Sequence, residues 1–223
     1  SHSPTFQPDV RAIIDLALAE DIGTGDVTTL ATVPTDRSAS AVILAKSGGV
    51  LSGIEVAREV FRTVDPSVSF EPLAADGDRL FHRMEIARIS GSARSILIAE
   101  RTALNFVQRL SGVATSTARY AALVAGTRTR IVDTRKTTPG MRLLEKRAVM
   151  HGGGDNHRFG LADGVLIKDN HLAAVGGPDR IARAIRLARE RVPHGLKIEV
   201  EVTTLGERRV RRAPELFFAR DAV

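Results

Sequence analysis

Apolar residues recur at helical spacing from Pro8 to Glu20, where Val10, Ile13, Ile14, Ala17 and Leu18 share one face. The run gives way to Asp21–Thr29, whose glycines, aspartates and threonines predict a tight, self-hydrogen-bonded loop. Residues 38–45 (SASAVILA) read as a strand and 46–53 as a turn into the next element. Helical spacing returns at Ile54, Ala57, Val60, Phe61 and Val64. Short strands are predicted at 68–70, 86–90 and 95–99, with a turn at Asp76-Gly77-Asp78 and Gly91 between the last two. Strands and helices interleave here without a regular βαβ spacing, so residues 1–112 are expected to form an N-terminal α+β sandwich. A long helical pattern then covers 100–126, with Leu104, Val107, Leu110, Ala114, Ala118, Ala121 and Leu123 on its apolar face. It is expected to join two domains. Gly112 inside it costs about 1 kcal/mol relative to Ala and predicts a kink or a close approach.

After Gly126 the rhythm becomes βα. Strands are predicted near 130–132, 165–167 and 197–202, and a helix from Pro178 buries Ile181, Ala184, Ile185, Ala188 and Val192. Its arginines 180, 183, 186 and 189 face out as a solvated surface. Residues 113–223 are therefore expected to be a domain of parallel βα units, giving the chain an α/β fold class overall. Ile131-Val132 breaks into Asp133-Thr134-Arg135-Lys136-Thr137-Thr138-Pro139-Gly140, and Val165-Leu166-Ile167 into Lys168-Asp169-Asn170-His171. The polar cluster after a parallel strand lies at its carboxyl end, where such folds carry their chemistry. Six cationic groups fall there: Arg135, Lys136, His157, Arg158, Lys168 and His171. Together they would suit a small substrate bearing several negative charges. Gly152-Gly153-Gly154 fits a flexible loop, a close approach of backbone to ligand, or a plain turn. Glu199 and Glu201 alternate with Val200 and Val202, so both acids point to one side of their strand, where a magnesium ion or a ribose hydroxyl is the natural partner.

Composition narrows the class. The 223 residues, 43% hydrophobic and 26% charged, suffice for one large or two modest globular domains. No apolar run approaches the ~20 residues of a membrane span, and the amino end shows no signal-peptide pattern. The absence of cysteine excludes disulfides, thiolate metal sites and cysteine nucleophiles, and a cytoplasmic protein is expected. A net charge of +6 and a pI near 10.4 invite nucleic acid as a second hypothesis. Against it, aromatics make up 4% of the chain, with no Trp and one Tyr, so stacking platforms are scarce.

Several motifs in order resemble the quinolinate phosphoribosyltransferases, also called carboxylating nicotinate-nucleotide pyrophosphorylases. They are EDIGTGDVTT (20–29), AERTALNF (99–106), DTRKTTPG (133–140), GGGDNHRFGLADGVLIKDNH (152–171) and EVEV (199–202). The resemblance implies an N-terminal α/β sandwich followed by an open, TIM-like α/β barrel. It also implies a homodimer in which Arg101 reaches into the neighbour's site. In the family's pattern Arg135, His157, Arg158 and Lys168 receive quinolinate. Lys136 and His171 serve phosphoribosyl pyrophosphate, which travels with Mg²⁺, and Glu201 serves the ribose and its metal. Lys136, Lys168 and Glu201 are the groups expected to act in catalysis.

The pattern departs from the family after Glu201, where the chain runs TTLGERRVRRAPELFFARDAV. The family continues with a strand ending in Leu-Asp-Asn and with further βα units. PELFFARDAV only echoes the first of these, with Asp221 near the expected acid. The barrel is therefore expected to be incomplete, with an altered tail, an exposed sheet edge and an incomplete phosphate site. Arg208-Arg209-Val210-Arg211-Arg212 within that tail reads as the product of a shifted reading frame, an exposed helix or a basic interaction patch. Two alternatives stand beside the quinolinate reading. One is the related protein of molybdenum transport operons, which would use another substrate; the other is a nucleic-acid-binding protein.

Overall fold

In the computed structural model, which describes residues 8–202 and 217–219, the chain divides between His157 and Arg158 into two units. The first contains α1 (Pro8–Ile22), α2 (Val27–Thr32), β1 (Ser38–Leu44), β2 (Gly49–Val50), α3 (Ile54–Val64), β3 (Ser69–Pro72), β4 (Arg79–Leu80), β5 (Glu85–Ser92), α4 (Ala93–Leu123) and α5 (Arg142–His151). Strands β1, β5 and β3 form an antiparallel sheet in that order, and β2 pairs with β4. The core lies between this layer and the helices. Ile86, Ala87 and Ile89 of β5 join Val56, Val60 and Phe61 of α3 and Ala103, Phe106 and Leu110 of α4 in one buried cluster. Phe61 and Phe70 meet with ring centroids 5.5 Å apart. Gly53, at φ 98°, lets the start of α3 sit against α4, because a Cβ there would come within 2.9 Å of Leu110 Cδ1.

Several expectations change. Residues 95–99 are helix, not strand: Ser92 ends β5, and its hydroxyl accepts from the Ser95 N–H, so α4 starts at Ala93. The SILIA run looks strand-like by residue type, but Ala93, Ile96, Ala99 and Ala103 fall on one buried face at helical spacing. Arg101 consequently lies well inside α4 rather than at its amino end. The 21–29 loop is interrupted by helix: α1 runs on to Ile22, and Asp26 caps α2 by accepting from the Thr29 N–H at 2.9 Å. Gly112 makes no close approach among the described residues, since a Cβ there would meet none of them within 4 Å. The strand expected at 130–132 shrinks to one parallel bridge between Val132 and Asp155.

The second unit contains β6 (Val165–Ile167), α6 (Asp169–Val175), α7 (Arg180–Arg191), β7 (Ile198–Val202) and β8 (Phe217–Ala219). Its strands are parallel in the order β6-β7-β8. Ile167, Val200 and Val202 pack with Leu172 of α6 and Ile181, Ala184 and Ile185 of α7 in a separate cluster. The four α7 arginines named above are exposed, as expected. β8 falls where PELFFARDAV echoes a further strand; Asp221 and Arg208–Arg212 lie outside the described residues. Among the described residues no helix is long and apolar enough to cross a membrane.

Candidate functional site

The loop 133–140 is held at both ends by adjacent residues of α5. Glu145, which is buried, accepts from the Thr138 N–H at 3.1 Å and the Thr138 hydroxyl at 2.8 Å. It also accepts from Arg109 Nε at 3.3 Å and Nη2 at 2.8 Å. Burial pushes the Glu145 carboxyl up, but the bonds from Arg109 and Thr138, with the Arg109 charge, outweigh it and hold the group below its ordinary value. Lys146 takes the other end. Its ammonium pairs with Asp133, the two side chains being 3% and 7% exposed, and it donates to the His157 carbonyl at 3.1 Å. Asp133 accepts in turn from the His157 N–H at 2.8 Å. With its amide nitrogen turned toward the acceptors, Asn156 donates to Asp133 Oδ2 at 2.7 Å and to the Lys146 carbonyl at 2.9 Å.

Between these anchors the loop presents cations. Arg135 is half-buried, and its Nε is shut away from solvent with no acceptor among the described residues. Lys136 is exposed; its backbone N–H is taken by the Thr134 hydroxyl at 3.0 Å. The triple glycine brings its turn onto α4, within the same unit. A Cβ at Gly152 would lie 2.3 Å from the Ala114 carbonyl oxygen, and one at Gly154 would lie 2.8 Å from Thr117 Cγ2. Of the uses open to it in the sequence, close backbone approach is the one observed, and the surface approached is a helix.

In the second unit Lys168 follows the last residue of β6, and Glu201 lies near the end of β7, so both stand at the carboxyl edge of a parallel pair. Lys168 Nζ is 3.4 Å from Glu201 Oε2. The Lys168 N–H donates to His171 Nδ1 at 2.9 Å, which leaves Nε2 as the protonated, outward donor of that ring. Arg158 donates from Nη1 to the Gly164 carbonyl at 2.9 Å, which orients its guanidinium. Glu199, almost fully buried, is paired with Lys197, so of the two strand acids it is Glu201 that faces Lys168.

Arg135 and Lys136 thus share one loop, to whose first residue His157 is tied. Lys168, His171 and Glu201 share one sheet edge. Arg101 is exposed on α4, along a groove of about 960 Å³ that β1 also lines and that neither Arg135 nor His157 borders. Sequence reasoning gave no role to Asp133, Glu145, Lys146 or Asn156. The available signal was an acidic and a basic residue side by side within the apolar spacing of Leu144 and Ala148, where a solvated helix face would not put them.

The fold and these motif positions describe an α/β protein with cations gathered at loop and strand ends. Comparison with known proteins agrees. The profile of the quinolinate phosphoribosyl transferase N-terminal domain matches residues 26–111, and that of its C-terminal domain matches residues 113–213. A nicotinate-nucleotide pyrophosphorylase [carboxylating], chloroplastic, from Oryza sativa subsp. japonica is 46% identical over 207 residues, 92% of this chain and 54% of the relative. A probable nicotinate-nucleotide pyrophosphorylase [carboxylating] from Synechocystis is 44% identical, covering 85% of this chain and 63% of the relative. The crystal structure of NadC from Streptococcus pyogenes superposes with a TM-score of 0.84 at 42% identity, over 92% of this chain and 72% of that one. The nicotinate-nucleotide pyrophosphorylase structure from Francisella tularensis gives 0.81 at 38% identity, over 93% and 72%. The chain belongs to the quinolinate phosphoribosyl transferase family. It spans 54% and 58% of the length of two plant relatives.

Proposed function

We propose that this chain serves phosphoribosyl transfer from phosphoribosyl pyrophosphate to quinolinate, with decarboxylation to nicotinate mononucleotide, pyrophosphate and CO₂, as a step in NAD biosynthesis. Family membership over nearly the whole chain supports this. The observation that carries it is Arg135, whose buried Nε has no acceptor among the described residues. A buried donor left without a partner costs roughly 1–3 kcal/mol, which an anionic ligand would recover. Quinolinate carries two adjacent carboxylates, and planar guanidinium groups such as Arg135 and Arg158 can each hold one through paired hydrogen bonds. His157 and Lys168 add donors and charge. Lys136 and the His171 Nε2–H are assigned to the phosphates of the co-substrate.

In this reading the pyridine nitrogen attacks the anomeric carbon as the bond to pyrophosphate breaks. Positive charge grows on the ribose, where Glu201 stabilises it, and negative charge on the leaving group, where Lys136 and Lys168 do. The ring nitrogen then carries a full positive charge. Loss of CO₂ from the adjacent carboxylate leaves an electron pair on the ring carbon beside that nitrogen, and a proton quenches it. No side-chain nucleophile is required, because positioning supplies the rate. Magnesium fits the residues present: among the described residues no three acidic or imidazole groups gather, and an ion held largely by substrate phosphates needs only one or two carboxylates, here Glu201. When bound it would neutralise charge on the departing pyrophosphate.

A homodimer with Arg101 contributed to the partner's site belongs to the same proposal, supported by the Arg101 guanidinium, which is exposed on α4 and has no partner among the described residues. So does a cytoplasmic location, which cell fractionation would test, since the rice relative's name is chloroplastic. Calorimetric titration with quinolinate tests the central reading. Binding that Arg135→Met weakens by about 30-fold or more is expected, as for loss of a charged paired contact. Wild-type affinity for nicotinate equal to that for quinolinate would overturn the dicarboxylate assignment.

A further inference from the structure

The Asp133–Lys146 pair is almost completely buried, and burial of an ion pair is a poor source of stability. An apolar pair of similar volume would hold α5 against the start of the 133–140 loop as well. What the charges add is direction. Lys146 donates to the His157 carbonyl, Asp133 accepts from the His157 N–H, and Asn156 bonds both Asp133 and the Lys146 backbone. Backbone bonds already join this turn, at residue 155, to the segment 131–133, from Asp155 N–H to the Ile131 carbonyl at 2.8 Å and from Asp133 N–H to the Asp155 carbonyl at 3.1 Å. The ion pair extends that attachment to His157, two residues further on. On its other side Asp133 is followed two residues later by Arg135, a span of at most about 7 Å.

We propose that Asp133 and Lys146 are positioning residues: their buried pair clasps both backbone groups of His157 and thereby sets the spacing between His157 and the Arg135–Lys136 loop for a planar dianionic ligand. This rests on the quinolinate reading above and deepens it by naming what holds the recognising groups of the first unit in register. The clasp touches no substrate itself. Its effect is on ligand affinity, through geometry that must be held to a fraction of an ångström.

The test uses the full chain. Asp133→Leu combined with Lys146→Met removes both charges while keeping volume, and Asn156→Ala, at an exposed position, is the milder variant. Three readouts are taken: melting temperature, amide hydrogen exchange at His157, and quinolinate affinity by calorimetry. The double variant is expected to melt within about 5 °C of wild type. It should lose protection at His157 and bind quinolinate about tenfold or more weakly; Asn156→Ala should shift both in the same direction by less. A folded double variant with wild-type affinity overturns the clasp and leaves the quinolinate reading standing. A double variant that unfolds moves the decision to Asn156→Ala, where lost His157 protection with unchanged affinity overturns it. Wild-type protein that binds no quinolinate overturns the functional reading and the clasp with it.

Discussion

Glu145 and Lys146 are neighbours of opposite charge, and each meets a partner where α5 borders the loop 133–140. Glu145 makes a pH prediction. Its folded carboxyl lies below the ordinary value of about 4.3, so as pH falls the unfolded chain takes up its proton first. The stability it contributes is complete above the unfolded value and is lost as pH falls through the folded one. Glu145→Gln is expected to lose about 2 kcal/mol at neutral pH. Below about pH 4 its urea-unfolding free energy should fall less steeply than wild type, and a parallel acid limb would refute the assignment. At this scale the exposed cations were readable from residue type and strand-end position. The buried acids and Lys146 were not, because a charged residue in sequence looks solvated until its partner is known. Thirteen positions separate Asp133 from Lys146, and nothing local links them.

Two glycines of similar appearance divide at the scale of elements. Gly152 ends α5 where that helix closes on α4, and a methyl group there would collide with the Ala114 carbonyl. Gly152→Ala should destabilise by about 1–3 kcal/mol through overpacking. Gly112 sits in the middle of α4 facing open space, so Gly112→Ala should stabilise by about 0.5–1 kcal/mol through helix propensity. Denaturant midpoints of the two variants should move in opposite directions; movement the same way would undo the distinction. α3 is legible to its end residues from its apolar periodicity, and β6 from a short apolar run that breaks into a polar cluster. At the amino end of α4 composition misleads: Ser95-Ile96-Leu97-Ile98-Ala99 suits a strand by residue type, and only the Ser92 cap and the buried face decide for helix. α5 and α6 are short, ten and seven residues, so apolar spacing gives little signal for either.

For the whole molecule, the proposed shared site has a stoichiometric consequence. Arg101→Ala and Lys168→Ala each remove a residue assigned to the same quinolinate site, one of them across the dimer. If dimers exchange freely, half of a mixed population is heterodimer, and each heterodimer regains one intact site, so about a quarter of sites should recover quinolinate binding. Recovery on mixing would show in calorimetric stoichiometry, whereas no recovery would place Arg101 in its own subunit's chemistry or outside it. What the sequence by itself determined was the family, the elements with a strong local signal and the residue types at loop and strand ends, because periodicity and long motifs are properties of contiguous residues. The tertiary structure alone decided that the triple glycine serves α4, that Glu199 pairs with Lys197 while Glu201 faces Lys168, and that His157 is tied to Asp133. Those outcomes depend on which distant atoms come within hydrogen-bond or van der Waals range, and chain folding sets that proximity.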